Sequence, residues 1–113
     1  MARKNALTAS PPVLVASAIK ALGTRLKAAR LARNLTIEQV AGKIGTGPRA
    51  VSDAESGKPG VSASVLVALL WVYDLLDPFH QLADPDTDLA AQSHLRSRAR
   101  ARRSTRDALD DDF

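Results

Sequence analysis

TIEQVAGKIGTGPRAVSDAESG, residues 36–57, is the stretch on which the fold turns. It opens with Thr36 and Gln39 in capping-box spacing, where a Thr side chain and a Gln three residues on satisfy each other's backbone N–H groups at a helix start. Val40, Ala41 and Ile44 then lie on one apolar face, and Gly45 ends that helix. Gly47-Pro48 starts another, with glycine at the cap and proline at the first helical position, where its missing N–H costs nothing. Val51 and Ala54 face inward and Gly57 ends the second helix. Two short helices with three residues between them are the expected product.

The flanking sequence extends this pattern. Upstream, residues 13–33 are rich in the helix formers Ala, Leu, Lys and Arg. Leu22, Leu26 and Ala29 keep helical spacing, and Asn34 sits where a residue tolerant of left-handed geometry ends a helix. Gly23 interrupts the run, so an extra N-terminal helix is expected, either joined to the next one or continuous with it. Ser10 with Pro11-Pro12 reads as its cap and first turn, and residues 1–12 as a disordered arm. Downstream, Ser62 caps a helix whose Leu66, Leu69, Leu70 and Tyr73 give it a wide apolar face. Trp71 falls on that face or its edge, with core the usual place and a dimer-interface anchor the alternative. Asp77-Pro78 repeats the cap-then-proline signal for a fifth helix bearing Phe79 and Leu82. No run reads as a strand pair. The expectation is an all-α, five-helix domain over 13–83, with its two-helix motif at about 36–56. A charged tail follows over 84–113, disordered or partly helical.

Bulk properties narrow the function. With 113 residues the chain accommodates one small domain with tails. It has no cysteine, which excludes disulfide frameworks, thiolate zinc sites and thiol catalysis. The longest apolar run, Val65 to Tyr73, is far short of the ~20 residues that span a bilayer. No signal peptide is read at the start, and a cytoplasmic protein is expected. The net charge of +4 is concentrated: Arg96, Arg98, Arg100, Arg102, Arg103 and Arg106 fall in eleven residues without an acid. Such a balance points to a polyanionic partner.

Enzymatic constellations fail. Asp84, Asp86 and Asp88 mimic the opening of a calcium loop, but its sixth position is Leu89 instead of glycine and its twelfth Leu95 instead of glutamate. A solvated acidic linker is the better reading. His80 and His94 have no partner at metal-ligand spacing. No phosphate-binding loop, nucleophile elbow or acid–base pair is found, so no catalytic residue, metal or cofactor is expected.

The two short helices make a helix-turn-helix, in which the first braces the second and the second enters the major groove. Residues 22–58 resemble the Cro/repressor (XRE-like) family through Leu35-Thr36, Glu38-Gln39-Val40-Ala41, Lys43-Ile44-Gly45-Thr46, Val51-Ser52 and Glu55-Ser56-Gly57-Lys58. The resemblance implies a structural ion pair between Arg30 and Glu55. It implies base contacts from Pro48, Arg49, Ser52 and Asp53, of which Arg49 is the best suited, since arginine engages a guanine edge bidentately. An Arg49–Asp53 surface pair at i,i+4 is the alternative. Phosphate contacts fall to Thr36, Lys43, Thr46, Gly47 and Lys58. Ile37 stands where the family has a phosphate-holding glutamine, and Pro48 removes another polar contact.

Beyond residue 58, Lys58-Pro-Gly-Val-Ser62, Ala68-Leu-Leu-Trp-Val-Tyr-Asp-Leu-Leu76, Leu82-Ala-Asp-Pro-Asp86 and the arginine-rich tail resemble HipB-like antitoxins, encoded beside HipA-type kinase toxins. That implies a homodimer that represses its own operon by binding double-stranded operator DNA and holds the toxin. Arg102, Arg103, Asp110, Asp111, Asp112 and Phe113 are the tail residues expected to dock it, with electrostatic steering of DNA the alternative role of the arginines. A stand-alone phage-type repressor and an interaction module that has lost DNA binding are the alternatives.

Overall fold

The computed structural model describes residues 5–111, with side chains through Arg106. It is all-helical, and among the described residues there is no strand. The helices are α1 (Ala6–Ala9), α2 (Val13–Ala32), α3 (Ile37–Ile44), α4 (Pro48–Glu55), α5 (Ala63–Val72) and α6 (Leu89–Asp111), with a 3-10 turn at Asp77–Gln81. The chain divides into two units, one up to Asp77 and one from Pro78.

Where each helix starts follows from its caps. Thr36 accepts from the Gln39 N–H at 3.1 Å while the Gln39 side chain accepts from the Thr36 N–H at 2.9 Å, completing the capping box. The Ser62 hydroxyl accepts from Val65 N–H. Gly45 ends α3 at φ 80°, and the N–H groups of Gly45 and Thr46 both close onto the Ala41 carbonyl. Asn34 ends α2 at φ 55°, a conformation its short polar side chain tolerates.

Three expectations need correction. Residues 5–10 belong to the arm read as disordered, yet the Asn5 side chain accepts from Thr8 N–H at 2.8 Å and closes one helical turn, α1. Ser10 does not cap α2. A residue before proline is driven out of the helical region, so the helix begins after both prolines, with Pro12 as its N-cap. The fifth helix is only a 3-10 turn. Ala83 turns left-handed at φ 55° and Asp84 precedes another proline, which leaves five residues, enough for i→i+3 bonds such as Leu82 N–H to Phe79 carbonyl. The tail expected to be disordered or partly helical contains α6. Its start is held by Asp88, which accepts from the N–H groups of Ala90 and Ala91.

The core of the first unit is Leu26, Val40, Ala41, Val51, Ala54, Leu69 and Tyr73. α2 packs on α4, α3 on α4 and α5, and α4 on α5. α2 runs unbroken through Gly23, which lies against the C-terminal end of α4. A Cβ there would stand 2.5 Å from the Ala54 carbonyl oxygen and 2.7 Å from that of Glu55. Gly57 faces it in kind, at φ 73°, where a Cβ would meet Lys20 Cα at 2.7 Å. Glycine at both positions lets the two backbones touch. Trp71 is not core: it is 60% exposed.

Candidate nucleic-acid interface

α4 buries Val51 and Ala54 and presents Pro48, Arg49 and Ser52 on its opposite side, with Asp53 half-buried at the margin. The helix is fixed at its C-terminal end by an ion pair out of solvent. Arg30 of α2 donates from Nε to Glu55 Oε2 at 2.7 Å and from Nη2 to Glu55 Oε1 at 3.0 Å. Its Nη1 donates to the Leu35 carbonyl at 2.8 Å. One guanidinium thus ties together α2, α4 and the turn leading into α3. The hydrogen bond to Glu55 raises the Arg30 pKa above its ordinary value, outweighing the opposing effect of burial. A bidentate Arg–carboxylate pair sets direction as well as distance. Arg30 is therefore occupied as a strut that orients α4.

The Arg49 side chain is 89% exposed. Its Nε stands 3.9 Å from Asp53 Oδ2, a distance at which an exposed pair holds little. Asp53 is engaged more closely by Lys58, whose Nζ lies 3.0 Å from Oδ1. Sequence spacing points to the i,i+4 partner and misses Lys58, which reaches back only because the left-handed Gly57 reverses the chain. The consequence is twofold. Arg49 stays open to an external acceptor, and part of the Lys58 charge is answered within the protein.

The residues expected at phosphates divide similarly. Thr36 caps α3 with its oxygen and Gln39 holds its N–H, so only its hydroxyl proton is uncommitted. Thr46 is half-buried and its N–H is spent on Ala41. Lys43 is exposed on α3, and Gly47 is exposed at the N-cap of α4, which has no side-chain cap. Ile37 packs against the core. In the tail, Arg102 and Arg103 are exposed on α6. Asp110 and Asp111 are in the helix, while Asp112 and Phe113 lie outside the described residues.

α3, a three-residue turn and α4 thus form a helix-turn-helix whose second helix offers its N-terminal side to solvent. Residues 21–80, more than half the chain, match the family described as helix-turn-helix domain. The chain belongs to that family. It is the domain of DNA-binding transcription regulators, here of the Cro/XRE type. Searches of curated proteins and of solved structures give no match. Among the described residues no helix is long and apolar enough to cross a membrane.

Proposed function

We propose that this helix-turn-helix protein is a sequence-specific transcriptional repressor that binds operator DNA as a homodimer and serves as the antitoxin of a HipA-like toxin. The observation that carries the DNA reading is the outward strip of α4: Arg49 at 89% side-chain exposure beside Ser52, on a helix oriented by the Arg30–Glu55 pair. An arginine in the first turn of a recognition helix reaches a guanine O6/N7 edge when the helix enters the major groove. A dimer would place two such helices about one turn of DNA apart, roughly 34–36 Å. Support for the homodimer comes from the exposed apolar residues Trp71, Val13 and Leu14. The antitoxin reading rests on the resemblance of residues 58–86 and the tail to HipB-like chains, with the acidic end of the tail as the part that meets the toxin.

Selection of bound sequences from a random duplex pool tests the DNA reading. The expected result is a palindromic site, with Arg49→Ala losing about 1–3 kcal/mol of specific binding and relaxing one base position in each half-site. Absence of any selected sequence overturns it. That outcome would favour an interaction module, a reading to which the half-buried Ile37 and the Lys58–Asp53 pair lend weight. Co-expression with the neighbouring genes and recovery of a kinase-like partner tests the antitoxin role; recovery of the chain alone overturns that role.

A further inference from the structure

α6 carries the charge that the helix-turn-helix lacks. Outside residues 89–106 the chain has ten Lys and Arg against twelve Asp and Glu, a net charge of −2; within that stretch there are six arginines and no acid. A DNA-binding protein draws most of its non-specific affinity from cations placed on phosphates. On the net balance that source lies in α6, not in the domain that reads bases.

We propose that α6 is a second, sequence-independent DNA-binding element that lies along the phosphate backbone. All six arginines are exposed. At about 100° per residue they form two rows, Arg96/Arg100/Arg103 and Arg98/Arg102/Arg106, each spaced by three or four residues. Arg96 to Arg106 spans roughly 15 Å of helix, a length over which duplex DNA presents on the order of nine phosphates. The rows also place like charges at i,i+3 and i,i+4, which destabilises the free helix by a few tenths of a kcal/mol for each pair. A polyanion relieves that repulsion. Arg96, Arg98, Arg100 and Arg102 have no acid three or four residues away in either direction; only Arg103 and Arg106 do, in Asp107 and Asp110.

The rest of the helix surface favours DNA over other polyanionic partners. Ser93, Ser97, Ala101, Ser104 and Thr105 occupy the side away from the arginines. An interfacial membrane helix needs large apolar residues there, and a protein interface needs buried anchors. From Ala90 to Arg106 the only large aliphatic side chain is Leu95.

The inference rests on the chain being a DNA binder, and the test separates the two. Binding of the full-length protein to a mixed-sequence duplex is followed by fluorescence anisotropy over a salt series. The variants are Arg96→Gln, Arg98→Gln, Arg100→Gln and Arg102→Gln combined, and the same four positions changed to Lys. Circular dichroism checks that both keep their helices. Each phosphate contact contributes about 0.9 to the slope of log K against log salt. The Gln variant is expected to lose at least ~2 from that slope and on the order of 10- to 100-fold in low-salt affinity, while the Lys variant keeps the slope. If the Gln variant binds the selected site with an unchanged slope, α6 is not a DNA element, even if it then fails to recover a protein partner, and the α4 reading stands. A steep slope lost in the Gln variant, with no selected sequence in the wild type, sustains α6 and overturns α4. No binding of the wild type to any duplex overturns both.

Discussion

Tyr73 is fully buried, yet among the described residues its hydroxyl has no hydrogen-bond partner. The ring is held by other means: the Arg33 guanidinium lies over it, 5.5 Å from the centroid, and Arg33 Nη2 donates to the Tyr73 carbonyl at 2.7 Å. Both interactions survive loss of the hydroxyl, and removing an unpaired buried polar group is neutral or favourable. Tyr73→Phe should therefore leave stability unchanged or raise it by up to ~1 kcal/mol, read from urea unfolding. A loss larger than that would mean the hydroxyl is bonded. The pKa gives a second readout. Burial, helped by the Glu55 charge and opposed by Arg30 and Arg33, pushes the phenol above its ordinary value. A folded pKa raised above the unfolded one makes folding less favourable at alkaline pH. Its contribution is whole below the unfolded value of about 10 and is lost as pH rises through the folded value. Tyr73 is the only tyrosine, so phenolate absorbance should appear together with unfolding, and Tyr73→Phe should hold its stability to higher pH.

At the scale of the element, what was legible in the sequence is what is local. The Thr36–Gln39 box, the left-handed Gly45 and the Gly47-Pro48 start are each written within four residues, and α3 and α4 begin and end there. Gly23 shows the limit. Read along the chain it weakens a helix; in the fold it is where α2 meets the α4 carbonyls, a contact between residues more than thirty apart. Arg33 on Tyr73, forty residues apart, is hidden for the same reason, whereas Lys58 meets Asp53 through the left-handed turn at Gly57. Among the site residues, the Arg49 side of α4 could be read from the period of Val51 and Ala54. The commitment of the Thr46 backbone could not. The two helical glycines test this directly. Gly42, in α3, is exposed and a Cβ there would meet nothing within 4 Å. Gly42→Ala should stabilise by about 0.5–1 kcal/mol through helix propensity. Gly23→Ala gains the same propensity but drives a methyl into backbone that cannot yield, and should destabilise by about 1–3 kcal/mol. Denaturant midpoints of opposite sign are expected; a stabilised Gly23→Ala would mean that α2 and α4 do not touch.

For the whole molecule, the dimer proposed above requires of this cationic protein a surface that does not repel its own copy. Residues 59–73 contain no charged side chain, and α5 within them is apolar but for Ser64. One side faces the core through Leu69; on the other, Ala63, Val67, Ala68 and Trp71 line a shallow groove with Leu76. In a two-fold dimer a residue near the axis faces itself, so an aromatic is tolerated there and a cation is not. Trp71→Arg should leave the monomer folded, because the side chain is already 60% exposed, and should convert the dimer to monomer in sedimentation equilibrium. Operator binding would then require higher protein concentration, since the free energy of pairing two half-site readers has to come from DNA alone. The exposed start of α2, with Val13 and Leu14 more than 80% exposed, is the competing surface. A Trp71→Arg protein that remains dimeric assigns the interface to α2 and removes α5 from it.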